Sequence, residues 1–207
     1  MMFSYTSGTT GDPKGVKLTH KMLLMSATSF NLRQGGLALG EGDSYLSYLH
    51  LAHSFEQALF AMACIYGVKV GFFGGDVLKM VAEDIPVLKP TFFPSVPRLF
   101  NKIYGKIQDK LNAATGCAAF LVKKAVAAKM NGLATSGAVT HGCYDALVFK
   151  KVKALMGGNV KIMLTGSASI SKVVLDFLKI CFCCPLIEGY GMTESSAGST
   201  VTIPGDP

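Results

Sequence analysis

Glycine, hydroxyl and lysine side chains are concentrated in one segment near the start of the chain, YTSGTTGDPKG at residues 5–15. Its glycines allow a ligand to approach the backbone closely, and its hydroxyls and lysine supply the donors and the positive charge that a polyphosphate needs. A Walker A loop would read G-x-x-x-x-G-K-[ST], whereas Lys14 here follows Pro13 and precedes Gly15. The segment therefore indicates a phosphate-binding loop of another type, with an ordinary turn between a strand and a helix as the alternative.

A second candidate segment, EGYGMTES at residues 188–195, places an aromatic ring, a hydroxyl and a carboxylate close together in the chain. Tyr190 could stack on a base, Thr193 could hydrogen-bond to a phosphate, and Glu194 could hold Mg²⁺, which binds carboxylate oxygens together with substrate phosphates. The alternative is a glycine loop followed by a helix that has Thr193 as its N-cap and Glu194 in its first turn. The segment alone leaves both interpretations open.

Composition limits the class of protein without naming a partner. The 207 residues are 50% hydrophobic, which supports a real core in one large domain or two small ones. The net charge of +7 suits phosphates, anionic lipid headgroups or nucleic acid, but no basic and aromatic interleaving favours a nucleic-acid partner. A mean hydropathy of +0.39 is high for a soluble domain and leaves room for a partner surface or a membrane contact.

The six cysteines show no regular spacing and no secretory pattern, so we expect a reducing, cytosol-facing compartment. The run CFCC at residues 181–184 lacks Cys-x-x-Cys spacing and a nearby histidine, so it predicts buried thiols rather than a zinc site. The longest strongly apolar stretch, residues 58–68, is well short of the roughly 20 residues that span a bilayer. No transmembrane helix is predicted from it.

Strand-like and helix-like patterns alternate along the chain and predict an α/β domain with a largely parallel sheet flanked by helices. The predicted strands are residues 1–5, 44–51, 68–73, 91–95, 160–166 and 185–191. The predicted helices are residues 20–32, 55–66, 77–88, a long one from residue 97, and residues 144–156 and 171–180, with a further helix and a variable loop before residue 144. In such sheets ligands bind at the carboxyl ends of the strands, where the two segments above and TGSAS at residues 165–169 are expected.

The pair YTSGTTGDPKGV and YGMTE resembles the adenylate-forming, AMP-binding superfamily of acyl-CoA synthetases, luciferases and adenylation domains. Finer stretches, such as KPTFFPSVPRLFNKIY and LVFKKVKALMGGNVKIMLTGSASIS, resemble its long-chain fatty acyl-CoA synthetase branch. The resemblance runs from about residue 3 to residue 207 and is weakest between residues 109 and 141. It implies that the chain is part of the large N-terminal domain of the adenylate-forming fold.

The resemblance implies a two-step reaction that uses ATP, Mg²⁺ and coenzyme A as co-substrate. A long-chain fatty acid carboxylate attacks the α-phosphate of ATP and releases pyrophosphate, and coenzyme A then displaces AMP to give the thioester. The chain would supply the ATP-binding and fatty-acid-binding core of this AMP-forming ligase. The alternative is a catalytically incomplete nucleotide-binding or interaction module that keeps the phosphate loop without turnover.

The resemblance also implies roles for individual residues. The phosphate loop would wrap the β- and γ-phosphates through Thr6, Ser7, Gly8, Thr9, Thr10, Gly11 and Lys14. Thr193 would bind the α-phosphate and Glu194 the Mg²⁺, which makes Lys14, Thr193 and Glu194 the candidate catalytic residues. Tyr190 would lie against adenine with Gly166, Ser167 and Ala168 on the other side, and Glu188, Gly189 and Gly191 complete the nucleotide-binding set. The family's usual proline after the small-residue run is replaced by Ser169.

One histidine matches a family position near the carboxylate and the acyl entrance. His53, in LHLAHSFEQ, is therefore a candidate substrate-binding residue, with a capping or structural role as the alternative. The gating tryptophan of some relatives is absent, since the chain contains no Trp.

Family members carry a region before the phosphate loop and, after it, a ribose-binding Asp, a hinge and a small C-terminal lid domain with a catalytic Lys. None of these is expected in residues 1–207, which would form a partial AMP-binding domain whose further partner is the remainder of the same polypeptide. We therefore expect no ligase turnover from these residues alone. The family and the basic charge imply a cytoplasmic protein with peripheral association with cytosol-facing membranes.

Overall fold

The apolar side chains of the central strands point alternately to two sides, which requires helices on both faces of the sheet. The computed structural model describes residues 1–6 and 12–204 and contains a six-stranded sheet of order β4-β3-β5-β6-β7-β8. Neighbouring strands are parallel except for β8, which is antiparallel to β7. The predicted α/β fold class is therefore confirmed. The strands are β1 Met2–Thr6, β2 Lys14–Leu18, β3 Ser44–Ser47, β4 Lys69–Phe72, β5 Phe92–Ser95, β6 Ile162–Thr165, β7 Leu186–Tyr190 and β8 Thr200–Val201.

Helices connect the parallel strands and lie on both faces of the sheet. Their bounds are α1 His20–Arg33, α2 Ser54–Tyr66, α3 Val77–Met80, α4 Asp84–Leu88, α5 Pro97–Asn112, α6 Gly116–Ser136, α7 Gly142–Tyr144, α8 Lys150–Ala154 and α9 Lys172–Phe182. A π-helical stretch, Asp145–Phe149, joins α7 to α8, and short 3₁₀ turns lie at Gly35–Leu37 and Thr193–Ser195. Among these helices, none is both long enough and apolar enough to cross a lipid bilayer.

Two apolar clusters form the core, one on each face of the sheet. In β5, Phe92 points to the side covered by α1 and α2, whereas Phe93 points to the side covered by α5, α6 and α9. Leu164 and Met163 of β6 divide in the same way. Both phenylalanines are 0% exposed, so the sheet forms the middle of three layers.

The first predicted strand does not join the large sheet. In the described part of the chain, β1 pairs antiparallel with β2, with Tyr5 opposite Gly15, and the two form a separate two-stranded sheet. The strand β2 was not predicted, because Pro13, Lys14 and Gly15 were assigned to a loop. The close pairing across Gly15 accounts for the difference, since its missing side chain leaves room for the Tyr5 ring, which lies about 3.3 Å from an ideal Cβ at that position.

The helix predicted over residues 77–88 is also wrong in part, because the chain forms α3 and α4 with a turn between them. Pro86 gives the physical reason. It has no backbone N–H to donate to the carbonyl of Ala82, and its ring clashes with that carbonyl in a continuous helix. The helix therefore stops before Val81 and begins again at Asp84.

Asp43 fastens the amino ends of three neighbouring strands. Its Oδ1 accepts a hydrogen bond from Thr91 Oγ1 (2.8 Å), and its Oδ2 accepts from Gly40 N (2.9 Å) and from Lys161 Nζ (2.8 Å). Burial raises the pKa of this carboxyl, but the bonds from Lys161, Thr91 and Gly40 outweigh burial and hold the pKa below its ordinary value of 3.8. The ionised carboxylate thus links the segments leading into β3, β5 and β6.

We expect Asp43→Asn to lower the free energy of unfolding at pH 7 by about 1–3 kcal/mol, because the Lys161 ion pair and one acceptor are lost. The lowered pKa means that this stability is present at neutral pH and is lost as the pH falls through the folded-state value. Chemical denaturation at pH 7 and below pH 3.8 should therefore show a difference between variant and wild type that shrinks in acid. Glu83→Gln, at an exposed carboxylate, is the control; equal effects of the two substitutions would contradict this role for Asp43.

Candidate functional site

The carboxyl ends of β6 and β7 meet at one edge of the sheet. Thr165 pairs with Glu188, so the residues that follow leave the sheet side by side. An ideal Cβ on Gly166 would lie 3.4 Å from the carbonyl oxygen of Gly189, which means that the two backbones approach closely. Ser167 follows in the left-handed region at φ +69°. This edge therefore offers backbone groups in a strained loop, a setting that is frequent at binding sites.

The segment after β7 folds back on itself. Met192 N donates to Ser195 Oγ (3.1 Å) around the 3₁₀ turn, and Ala197 N donates to the carbonyl oxygen of Met192 (3.1 Å). Ser196 and Ala197 are both left-handed, at φ +54° and +73°. An ideal Cβ on Gly191 would lie 1.7 Å from the carbonyl oxygen of Ala197, so this fold requires glycine at position 191.

His53 begins α2 as its N-cap. Its Nδ1 accepts a hydrogen bond from Phe55 N (3.1 Å), which leaves Nε2 as the protonated ring nitrogen of the neutral imidazole. The capping role that the sequence analysis gave as the alternative for His53 is thus present. The exposed ring retains Nε2–H as a free donor.

Glu56, in the first turn of α2, ties that helix to β3. It is 0% exposed and accepts hydrogen bonds from Ser47 Oγ and Tyr45 OH. Burial raises the pKa of the Glu56 carboxyl, although both hydroxyl bonds act in the other direction. The anchored first turn gives His53 a defined position at the edge of the sheet.

A cavity of about 920 Å³ lies between α1, α2, the ends of β6 and β7, and the segment 191–203. Its wall combines flexible apolar side chains, hydroxyl groups and glycine backbone. The lining includes Met22, Met25, Ser26, Ser29, Phe30, Arg33, His53, Phe55, Leu59, Met62, Leu164, Gly166, Ser167, Gly189, Gly191, Met192, Thr193, Ser195, Ser199 and Val201. The lining therefore combines apolar and polar groups.

The sequence interpretation missed the contribution of α1. Met22, Ser26, Ser29 and Arg33 lie along one face of this helix for three turns and form a wall of the cavity. Their helical spacing was visible, but it marks only a face and does not say what that face meets. Ala27, buried at 1% exposure, both lines the cavity and packs in the core between α1 and the sheet.

The cavity brings together part of the predicted site. It includes His53, Gly166, Ser167, Gly189, Gly191 and Thr193. Of the described residues predicted for the site, six lie outside the lining, namely Thr6, Lys14, Ala168, Glu188, Tyr190 and Glu194. The loop residues Ser7, Gly8, Thr9, Thr10 and Gly11 lie outside the described residues.

The residues outside the lining are nevertheless close to it in the fold. Lys14 is exposed at the start of β2, a strand that contacts the turn Thr193–Ser195. Glu188 belongs to β7, where its N–H donates to Thr202 Oγ1 (2.8 Å), and the Tyr190 side chain is 62% exposed at the end of that strand. Strand β2 and the turn after β7 therefore lie next to each other.

Glu194 is an exposed carboxylate in that turn. Over residues 1–6 and 12–204 no group of three or more His, Cys, Asp or Glu side chains could hold a metal ion. A single carboxylate still suits Mg²⁺, which is held in many sites by one or two carboxylates plus substrate phosphates. The donor set therefore fits a Mg²⁺ ion that arrives with a polyphosphate.

The whole chain, residues 1–207, matches the family described as AMP-binding enzyme. The chain belongs to this family. The resemblance noted in the sequence is thus confirmed.

Curated relatives of this AMP-binding enzyme chain are long-chain fatty acid ligases. It is 40% identical over 203 residues to long-chain-fatty-acid–CoA ligase 5 of Rattus norvegicus, covering 98% of this chain and 29% of the relative. It is 40% identical over 204 residues to long chain acyl-CoA synthetase 4 of Arabidopsis thaliana, covering 97% of this chain and 30% of the relative. The chain thus spans less than a third of the length of these relatives.

Solved structures show the same fold at lower identity. The inhibitor-bound N-terminal domain of FACL13 from Mycobacterium tuberculosis superposes with a TM-score of 0.64 at 19% identity, over 98% of this chain and 39% of that one. O-succinylbenzoate coenzyme A synthetase (MenE) from Bacillus subtilis, in complex with ATP and magnesium ion, gives a TM-score of 0.64 at 21% identity, over 98% and 32% of the chains. The fold of this AMP-binding enzyme chain is therefore that of these domains.

We expect Gly191→Ala to lower the free energy of unfolding by about 1–3 kcal/mol, because the added Cβ forces the Ala197 carbonyl and its turn to move. Gly189→Ala is the matched control on the same strand end, since its Cβ would meet Leu164 Cδ1 at an ordinary 3.5 Å. Urea denaturation of the two variants measures the difference. Equal stability of both variants would show that the segment 192–199 does not pack against Gly191 as described.

Proposed function

We propose that this chain is the ATP-binding and fatty-acid-binding core of an AMP-forming long-chain fatty acid–CoA ligase. The observation that carries the proposal is the cavity, which joins the glycine-lined edge of the sheet to an apolar groove along α1 and α2. The names of the curated relatives support the same substrate class. The proposed reaction activates the fatty acid with ATP as an acyl-adenylate and transfers the acyl group to coenzyme A.

The groove between α1 and α2 has the chemistry of an acyl-binding surface. Met22, Met25 and Met62 line it together with Phe30 and Leu59. Unbranched thioether side chains adapt their shape to a flexible ligand, and an aliphatic chain gains about 0.8 kcal/mol for each CH₂ group that it buries. The groove therefore favours a long alkyl chain over a small polar acid.

The polar end of the same cavity would bind the nucleotide. Gly166 and Gly189 let a planar base approach the backbone, and Thr193 offers a hydroxyl to the α-phosphate. Lys14, on the neighbouring strand β2, would place a positive charge beside the leaving pyrophosphate. The first step needs little covalent help, so that positioning and charge neutralisation by these residues lower its barrier.

Two further residues complete the proposed mechanism. Glu194 would hold Mg²⁺, which when bound neutralises charge on the phosphates. His53, with Nδ1 occupied by the helix cap, would donate from Nε2 to a carboxylate oxygen of the fatty acid and orient it toward the α-phosphate.

The second candidate function is a nucleotide-binding module without turnover. The coverage of less than a third of the relatives' length favours this reading for the 207 residues taken alone. Both candidate functions predict that the chain binds a nucleotide, so a binding measurement does not distinguish them. A turnover measurement does. Palmitate-dependent exchange of pyrophosphate into ATP should be measured in the natural protein and in the 207-residue chain, and its absence from the natural protein would overturn the ligase proposal.

We expect Lys14→Ala and Glu194→Ala each to slow palmitate-dependent pyrophosphate exchange in the natural protein by about tenfold or more, because each removes a charge-assisted contact worth about 1.5–3 kcal/mol. Glu194→Ala should also raise the Mg²⁺ concentration needed for half-maximal exchange, whereas Lys14→Ala should not.

Lys17→Ala is the matched control for Lys14→Ala. Lys17 is exposed on the same strand, three residues away, and so points to the other face of β2. Exchange rates near wild type in both the Lys14 and Glu194 variants would refute the assigned roles. An equal loss in the Lys17 variant would point to general charge rather than to a phosphate contact.

We further propose peripheral association with anionic membranes through α5. Arg98, Lys102, Lys106 and Lys110 recur at every fourth position and are all exposed, while the opposite face of the helix is buried. Each such charge near an anionic surface contributes about 1 kcal/mol of attraction. This basic stripe places part of the net charge of +7 on one face of α5.

We expect Lys102→Glu/Lys106→Glu to weaken binding to phosphatidylserine-containing vesicles by about tenfold or more, because two attractive charges become repulsive. Vesicle flotation at low and high salt measures the effect. Lys69→Glu/Lys151→Glu, at exposed lysines on β4 and α8, changes the net charge equally and serves as the control. Equal loss in both double variants would contradict a membrane-facing stripe on α5.

A further inference from the structure

A buried lysine contacts a cysteine sulfur on the side of the sheet away from the cavity. Lys129 of α6 is 1% exposed, and its Nζ lies 3.0 Å from Cys183 Sγ at the end of α9. The same ammonium forms an ion pair with Asp145 and lies 4.6 Å from the centre of the Phe149 ring. The proposed ligase mechanism uses none of these groups.

The position of Asp145 keeps the amine directed at the sulfur. Its Oδ1 accepts from Lys129 and its Oδ2 accepts from His141 N at 2.7 Å. Burial raises the pKa of this carboxyl, but the bond from Lys129 and the bond from His141 N outweigh burial, so the pKa is lowered. The ionised carboxylate holds the ammonium and also interacts with the Cys183 thiol, so the three groups lie together.

Cys183 is the cysteine of the CFCC run that the amine touches. It occupies the C-cap of α9 in the left-handed conformation, at φ +57°, and is half-buried. Burial raises the pKa of its thiol, and burial likewise raises the pKa of Cys184 to about 12. At neutral pH these thiols are protonated and react slowly with oxidants, so the contact with Lys129 matters after oxidation rather than before it.

We propose that Lys129 and Cys183 are a modification site, which peroxide oxidation converts to a reversible covalent S–N bond between Nζ and Sγ. In the first step the Cys183 thiol loses its proton, the thiolate sulfur attacks hydrogen peroxide, the O–O bond breaks, and the departing hydroxide takes up the proton, so that sulfenic acid and water form. Sulfur loses two electrons and the peroxide gains them.

The second step is a condensation without further oxidation. Asp145 accepts a proton from the Lys129 ammonium, and the free amine attacks the Cys183 sulfur. The S–N bond forms as the S–O bond breaks, and the hydroxyl leaves as water with the second amine proton. Sulfenic acids are known to condense in this way with protein nitrogen, and a contact of 3.0 Å gives the amine a large effective concentration.

A second cleft borders the cluster at Asp145. This cleft, about 640 Å³ in volume, is lined by Asp145 together with Lys150 and Lys153. The Asp145 side chain is 19% exposed there, whereas the Lys129 side chain is 0% exposed. A molecule as small as hydrogen peroxide can therefore come as close as Asp145, the ion-pair partner of the Lys129 ammonium.

The cross-link would join α6 to the turn between α9 and β7, three residues before that strand begins at Leu186. It would also stop oxidation of Cys183 at the reversible stage, since the sulfenic acid is consumed before it reaches sulfinic acid.

Peptide mapping of the peroxide-treated protein tests the proposal. The expected product is a peptide containing both Lys129 and Cys183, lighter by two hydrogen atoms than the sum of its reduced parts, with no tryptic cleavage after Lys129. Dithiothreitol should restore the separate peptides. A disulfide from Cys183 to Cys181 or Cys184, or Cys183 that stays unmodified even after prolonged peroxide treatment, would overturn the proposal.

Lys129→Arg is the matched control, because arginine keeps the charge beside Asp145 but remains protonated and cannot attack sulfur. The linked peptide should disappear, and Cys183 should instead be recovered as sulfinic or sulfonic acid. Cys183→Ser is the second control and should also lose the linked peptide. If Lys129→Arg fails to fold, the linked peptide in the wild type still decides the question, and the same Cys183 product in wild type and a folded Lys129→Arg variant would contradict the proposal.

Discussion

Parallel hydrogen bonding between β6 and β7 is the constraint on which the candidate site depends. The pairing of Thr165 with Glu188 makes the two chains leave the sheet at the same level. Gly166 and Gly189 then lie backbone to backbone, with an ideal Cβ at position 166 already in van der Waals contact with the carbonyl oxygen of Gly189. A slip of one residue in this register would turn the strand's side chains to the opposite faces and separate the two glycines.

The two apolar layers hold that register in place, and they also explain why a cavity remains. On one face Phe177 and Leu178 of α9 fill the space beneath the sheet. On the other face α1 and α2 pack at Ala27 and Met62, but the face of α1 that carries Ser26 and Ser29 lines the cavity. A core that is dense on one side and incomplete on the other leaves a groove open to an apolar ligand.

Local sequence patterns predicted the fold class. The features that were not predicted, such as the partner of β1, depend mostly on contacts that those patterns do not specify. The alternation of strand-like and helix-like patterns along the chain was enough to predict a largely parallel α/β sheet. Strand propensity in residues 1–5 did not reveal its partner, because β1 pairs with β2 across a short segment rather than with the large sheet. Pro86 did carry a local signal for the break between α3 and α4, and the prediction of one helix overlooked it. The contact between Lys129 and Cys183 joins residues 54 apart in the chain, and the lysine pattern of α6 gives no sign of it.

The buried ion pair of Lys129 and Asp145 has a role different from that of the apolar core. A buried ion pair adds little stability compared with apolar residues of similar volume, so packing alone does not require Lys129 and Asp145 at these positions. The ion pair instead orients the Lys129 ammonium, which Asp145 holds in contact with the Cys183 sulfur at the C-cap of α9. That cap leads into β7 at its amino end, while the proposed nucleotide contacts lie at its carboxyl end. A restraint at Cys183 and a ligand at Gly189 would therefore act at opposite ends of one five-residue strand.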